Sequence, residues 1–350
     1  MSLGFGIAGL GMVAETHAEA IGDMENGHLA ACFSRSKNKA EAFAERHRCM
    51  PYWDYGEFLR DRAVDIVTIC TPSGAHLKPA VEAAAAGKHI IVEKPLEITL
   101  ERIDHIIERC SAEGVLCGGV FRSRFSPAAG AVRKAVEEVR FGMLTLGSAY
   151  VKWYRSRQYY DEGGWHGTWD LDGGGALMNQ SIHAVDLLQW YMGPVESVTA
   201  LTGTLGHKNI EVEDTAVVSI RFQNGALGTI EGSTACYPGF LKRVELSGTS
   251  GSALLEEDTL TVWHFDPSRP EDDSILQNLG PGAGSTAGGG ASDPAAIDYA
   301  GHRIQFENFA RAIKSGGSPL VDGAEARKAV EIVLAVYKSA AEKRLVSLPL

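Results

Sequence analysis

The strongest constraint on this chain is an alternation near its start. Short apolar runs at residues 3–8, 29–33, 50–52, 65–70, 90–92 and 115–117 are separated by stretches with helical spacing. Repetition of this kind predicts a doubly wound α/β domain, a parallel sheet covered on both faces. Such sheets bind ligands in the crevice beyond the carboxyl ends of the strands. The first run ends in Gly9-Leu10-Gly11-Met12-Val13-Ala14, a G-x-G-x-x-A pattern that opens a helix. Gly9 would make the tight turn and Gly11 would admit a pyrophosphate close to the backbone. Met12 and Val13 would present the helix N-terminus to it, and Ala14 would permit close packing. The expected ligand is a dinucleotide.

The ends of the later strands refine that expectation. The second run stops at Ser34-Arg35-Ser36, with Lys37 and Lys39 beyond. An NAD-preferring site usually offers a carboxylate there to the ribose 2′-hydroxyl, whereas serine and arginine suit a 2′-phosphate. NADP is therefore expected ahead of NAD. Thr71, Pro72 and His76 follow the fourth run and would border the cofactor. The fifth run delivers Glu93-Lys94-Pro95. Proline cannot continue the ladder and fixes its own φ, so Lys94 leaves the strand at a rigid exit facing the crevice. Spacing alone would leave Lys94 a surface turn residue; the upstream fingerprint makes it the candidate proton donor or acceptor. Partial burial would lower its pKa enough to cycle near neutral pH. Glu93 would pair with a local cation or backbone amides and tune it.

Beyond residue 123 the pattern changes. Residues 144–155 alternate polar and apolar side chains, and an aromatic-rich loop runs from Tyr159 to Asp170. Gly173-Gly174-Gly175 then precede a helix expected from Leu177 to about Tyr191, on which Asn179 and His183 are four apart and share a face. Repeated β segments fill residues 197–265, with Asn224-Gly225 as a hairpin turn. Residues 267–294 read as a mobile loop, and helices over 301–315 and 324–341 close the chain. The division expected is residues 1–123 for the nucleotide domain and 124–350 for a substrate and oligomerisation domain. Trp153, Arg155, Tyr160, Trp165 and Trp169 would suit a polyol, their rings stacking on sugar faces while polar groups bind hydroxyls. Lys152 and Arg155 could recognise an acidic group such as a uronate.

Charge and cysteine usage exclude other classes. The net charge of -11 argues against nucleic acid or an anionic membrane as partner. There is no apolar run long enough to span a bilayer and no signal-peptide pattern at the start. The six cysteines form no C-x-x-C pair, so a reducing, cytoplasmic setting without a metal site is expected.

As a set, these marks resemble the glucose-fructose oxidoreductase / inositol dehydrogenase / MocA family. They are G-x-G-x-x-A at 9–14, Cys70-Thr71-Pro72, Glu93-Lys94-Pro95, the segment from Gly119 through Arg122 to Pro127, the glycines at 173–175, and Asn179 to Leu188. The resemblance covers essentially the whole chain. It implies a nicotinamide-binding Rossmann domain followed by an α/β domain with a large, mostly antiparallel open sheet, through which dimers and tetramers form. It further implies that Lys94 works on a substrate hydroxyl or carbonyl and that His183 shares or relays the proton. The family often carries aspartate where this chain has Asn179, which can neither hold negative charge nor accept that proton. The activity implied is NAD(P)-dependent hydride transfer at a secondary alcohol of a sugar, polyol or sugar derivative. The same fold also serves NAD-dependent glycoside hydrolysis and cofactor-sensing regulation; Lys94 and His183 argue against a pure sensor.

Overall fold

The computed structural model describes residues 2–161, 164–283 and 298–350, which divide into two compact units. The first comprises residues up to Arg122 together with 298–330. Its strands are β1 (Leu3–Ala8), β2 (Gly27–Phe33), β3 (Met50–Tyr52), β4 (Ile66–Ile69), β5 (His89–Val92) and β6 (Cys117–Gly119). They pair in parallel in the order β3-β2-β1-β4-β5-β6. The order reverses between β1 and β4, the switch point at which open α/β sheets bind ligands. Both faces are covered, as the continuous apolar character of β4 and β5 requires.

Local chemistry sets the helix boundaries. In this unit they are α1 (Met12–Gly22), α2 (Lys37–His47), α3 (Tyr55–Arg60), α4 (Leu77–Ala85) and α5 (Leu100–Glu113). Ser36, Asp54 and Thr99 cap α2, α3 and α5 by accepting backbone N–H groups from the first turn. Gly114, at φ 67°, ends α5 in the left-handed conformation. A helix from far along the chain, α10 (Ala300–Ser315), completes this core with Phe306 and Phe309 packed among Phe5, Ile7 and Ile21. Gln305 of α10 locks the end of β6: its Oε1 accepts Phe121 N–H at 3.1 Å and its Nε2 donates to Gly119 O at 2.6 Å.

The second unit holds residues 123–297 and 331–350. Its sheet contains β7 (Leu144–Lys152), β8 (Val195–Gly203), β9 (Thr215–Phe222), β10 (Leu227–Ser233), β11 (Arg243–Gly248), β12 (Gly251–Glu256), β13 (Thr259–Phe265) and β14 (Val346–Ser347). The order is β13-β12-β11-β7-β10-β9-β8-β14, antiparallel throughout except for the β7–β10 pair. Asn224-Gly225 turns β9 into β10 as expected, with Gly225 at φ 88°. One face is packed by α6 (Pro127–Glu137) and α8 (Ile182–Met192), and the short α7 (Arg157–Asp161) follows β7 in the chain. The other leaves alternate side chains of β9 exposed.

Two expectations need correction. The irregular stretch at 267–294 contains a helix, α9 (Glu271–Leu279), whose Asp272 accepts from Arg140 and from Trp263 Nε1; residues 284–297 lie outside the described residues. The helix expected from Leu177 changes winding. Residues Ala176–Ser181 form a π-helical turn, and α8 begins only at Ile182. Close packing explains the change: a Cβ on Gly175 would lie 1.8 Å from Glu213 O, so the chain enters pressed against the segment before β9. Glu213 accepts the N–H groups of Gly175 and Leu177, and Ser181 Oγ donates to Ala176 O, five residues back.

Candidate active site

In the first unit, β1 ends at Gly9, whose φ of 96° suits glycine and whose Cβ, if present, would lie 2.8 Å from the Cys70 carbonyl. Gly11 differs. A Cβ there would meet nothing within 4 Å, so the space over the start of α1 is open. No side chain caps α1, leaving the first N–H groups of an eleven-residue helix to an outside acceptor; Gly11 and Met12 are exposed and Val13 is half-buried. These features fit a dinucleotide pyrophosphate. At the end of β2, Ser34 Oγ accepts Ser36 N–H at 3.2 Å and Arg35 is exposed. Thr71 and Pro72 are half-buried at the end of β4. His76 is buried, with Nδ1 3.0 Å from Pro95 O and Nε2 2.8 Å from Thr71 O, so its ring ties the two strand-end loops together. Arg122 is half-buried where the unit ends.

Lys94 leaves β5 half-buried, and the Lys94–Pro95 bond is cis. Its own N–H donates to Glu93 Oε2 at 3.0 Å. The other carboxylate oxygen, Oε1, lies 2.8 Å from Nε2 of His17, a fully buried residue of α1. His17 Nδ1 lies 2.7 Å from Thr68 Oγ1 and 3.3 Å from Cys70 Sγ. His302 of α10 places Nε2 3.9 Å from the same Glu93 oxygen. Burial opposes charge on His17, but Cys70 and Glu93 outweigh it and hold the imidazolium up to about 10. Burial would likewise raise Glu93; the hydrogen bond and charge of His17 bring it down to about 2. His302, desolvated and facing the His17 charge, falls to about 3 and is neutral. The three side chains offer donor atoms within 4.8 Å of one another, the one such group among the described residues. With His17 and Glu93 already joined, they form a hydrogen-bonded ion pair with a neutral neighbour.

Sequence reasoning missed His17 and His302. A histidine among the alanines on the inner face of α1 was the available signal, but its partner lies 76 residues away.

In the second unit the π-turn carries Asn179. Its Nδ2 donates to Oδ1 of Asp172, and its Oδ1 accepts from Gln180 Nε2 at 3.0 Å. Asp172 is buried and also accepts Gly167 N–H at 2.8 Å, with His166 Nδ1 at 3.9 Å. Gln180 continues the chain, donating to Tyr159 Oη at 2.9 Å and accepting from Arg155 Nη2 at 2.7 Å. Arg155 is buried between the Trp153 and Tyr159 rings, 5.0 and 5.6 Å from their centroids. The buried Trp153 Nε1 has no hydrogen-bond partner among the described residues. Tyr160 Oη meets Thr234 Oγ1 at 2.8 Å, and its ring packs on His207. Trp165 is half-buried against His166. His183 is half-buried at the start of α8; because the winding changes at Ile182, its relation to Asn179 is not set by α-helical spacing.

Two expected substrate residues stand apart. Lys152 follows the inward Val151 and so turns to the other sheet face, where it pairs with Glu231 at 2.7 Å. Trp169 is exposed and lies edge-on to Tyr337 of α11 (Gly323–Glu342). Asp186, three residues beyond His183 on α8, is fully buried and bound through both carboxylate oxygens to Arg124, at 2.8 and 2.6 Å. Asp172, Gln180, Tyr159, His166 and His207 were not singled out, because their grouping depends on the loop path and the π-turn.

An uncapped helix behind a tight glycine turn, at the switch point of a parallel sheet with a lysine at a neighbouring strand end, defines a nicotinamide-dependent oxidoreductase. Residues 3–120 match the model of the oxidoreductase family with an NAD-binding Rossmann fold, and residues 130–254 match the GFO/IDH/MocA C-terminal domain. The chain belongs to the GFO/IDH/MocA family. It is 28% identical to the myo-inositol 2-dehydrogenase of Thermotoga maritima, over 98% of each chain. The solved WlbA dehydrogenase of Bordetella pertussis, in complex with NADH and UDP-GlcNAcA, is 30% identical with a TM-score of 0.88, covering 100% of this chain and 98% of that one. The WlbA protein of Chromobacterium violaceum, with the same ligands, is 31% identical with a TM-score of 0.88, covering 100% and 96%. Among the described residues no helix is long and apolar enough to cross a membrane.

Proposed function

We propose that this protein is an NAD(H)-dependent dehydrogenase acting on a ring hydroxyl of a sugar, with an acidic sugar or sugar nucleotide as the first candidate substrate and inositols as the second. The observation that carries the reaction type is Lys94, half-buried at a strand end in the same unit as the open, uncapped start of α1. The acidic substrate class draws on the WlbA relatives and on Arg155, a buried guanidinium flanked by aromatic rings, a setting suited to a carboxylate.

The NADP preference expected from Ser34 and Arg35 gives way here to NAD. Ser34 is engaged in its own turn and Arg35 is exposed, while both WlbA relatives are complexes with NADH. The N-terminus of α1, with Gly11, Met12 and Val13, would hold the pyrophosphate, and the bound nicotinamide would supply hydride acceptance or donation. Lys94 would take or return the hydroxyl proton, and His183 would relay it. Asn179, Gln180 and Arg155 would bind and orient the sugar.

Screening NAD⁺ and NADP⁺ reduction against acidic sugar nucleotides, free uronates and inositols tests the substrate. Lys94→Met tests the mechanism: turnover should vanish while NADH still binds, and near-normal kcat would remove the lysine. Sugar release without NADH formation would favour hydrolysis.

The outer face of the second sheet supports self-association. Leu201 pairs with Val217 across β8–β9 and Leu227 with Leu146 across β10–β7, all of them exposed. We assign this face to a homodimer or homotetramer contact; Val217→Asp should lower the mass seen by light scattering. Six free cysteines suit a reducing cytoplasm.

A further inference from the structure

The hydride chemistry leaves one buried group of titratable side chains without a role. His17, Glu93 and His302 meet behind Lys94, all within the first unit and all buried. Glu93 is bonded on both sides: Oε1 to His17 at 2.8 Å and Oε2 to the Lys94 N–H at 3.0 Å. Thr68 and Cys70, at the end of β4, fix the far side of the His17 ring. The charged and titratable groups facing the pair are Cys70 from β4's exit, His302 from α10 and Lys94 itself; Arg122 acts on His302, and His76 feels Glu93 and Glu97.

We propose that His17 is a positioning residue for Lys94: by pairing with Glu93 it holds the carboxylate that receives the lysine's N–H, and it cancels the negative charge that would otherwise keep the lysine ammonium protonated. The proposal rests on the reading of Lys94 as the proton-transfer group. Its physical basis is charge compensation in a dry site. An unbalanced carboxylate beside an ammonium favours the charged form and shifts its pKa by about 1–3 units. The His17–Glu93 ion pair, with no net charge, removes most of that pull, leaving the lysine readier to release its proton. Placing the counter-ion on α1 puts it on the helix whose N-terminus would meet the cofactor. A buried carboxylate shared between an imidazolium and one backbone amide also fixes the exit direction of the lysine.

Competitive acetylation across pH, with Lys94 followed by mass spectrometry, measures its titration midpoint without any turnover. His17→Gln, which keeps a hydrogen-bonding group but no charge, should raise the midpoint by about one unit or more. Adding Glu93→Gln to His17→Gln should bring it back toward the wild-type value. Circular dichroism and NADH binding establish that each variant is folded, and His17→Asn, which likewise carries no charge, takes the place of His17→Gln should that variant not fold. A Lys94 midpoint that stays in place in the folded His17 variant overturns the proposal. Turnover is read separately: activity surviving Lys94→Met would defeat the catalytic reading of the lysine, while the acetylation midpoints would still decide the charge coupling.

Discussion

Asn179 donates from Nδ2 to Oδ1 of Asp172, a buried carboxylate seven residues upstream. The carboxylate that the family resemblance leads one to look for at 179 is thus present beside that position, contributed by residue 172. Asparagine and aspartate together offer a donor, an acceptor and one negative charge, where an aspartate at 179 would set two carboxylates against each other.

The first prediction concerns that pair. Asp172→Asn should lower kcat/KM about tenfold or more, with NADH affinity unchanged, because one amide oxygen replaces two carboxylate oxygens and cannot accept from both the Asn179 amide and the Gly167 N–H. Asn179→Asp should add a pH dependence, since one of two adjoining carboxylates must stay protonated. A pH–rate profile of Asn179→Asp identical to the wild type would refute this.

The two glycines of the fingerprint should fail differently. Gly9→Ala places a Cβ 2.8 Å from the Cys70 backbone at φ 96°, so the fold should lose about 1–3 kcal/mol in denaturant titration. The Cβ of Gly11→Val meets nothing within 4 Å, so this variant should leave stability nearly unchanged. NADH affinity should nonetheless drop, by tenfold or more, as the side chain occupies the pyrophosphate space. Equal stability losses in the two variants would contradict this account.

The buried cluster behind Lys94 gives stability a dome in pH. His17 is raised from 6.5 to about 10, so its contribution is complete below 6.5 and is lost as pH rises through about 10. His302 is depressed from 6.5 to about 3; the unfolded chain takes up the proton first, and stability falls as pH drops from 6.5 toward 3. Glu93, lowered from 4.5 to about 2, adds its loss below 4.5. Urea midpoints measured across this range should fall on both sides. His17→Gln should flatten the alkaline limb and His302→Leu the acid limb above 4.5.

Arg124→Met should be strongly destabilising. It removes one partner of a fully buried pair and leaves the Asp186 carboxylate without its guanidinium, a change that costs about 3–5 kcal/mol. Arg124→Met with Asp186→Leu should recover much of the loss, and a double variant no more stable than the single one would show that the pair itself is not the cause.

The order of strands and helices in the first unit, the dinucleotide fingerprint and the exit of Lys94 were legible along the chain. They rest on short-range rules: apolar runs that make parallel strands, a turn only glycine accepts, a proline that ends a ladder. The hairpin at Asn224-Gly225 and the β-rich second half follow in the same way. Long-range pairing was not legible. His17 finds Glu93 across 76 residues and His302 from near the other end, and Gln305 locks a strand 186 residues away. The path of the chain settled the rest: pressure of Gly175 against Glu213 accompanies the π-turn under Asn179, and the pleat turned Lys152 away from Trp153. Local sequence determines what each segment can be. Burial and the meeting of distant side chains decide which charges are neutralised, and that is a property of the folded core alone.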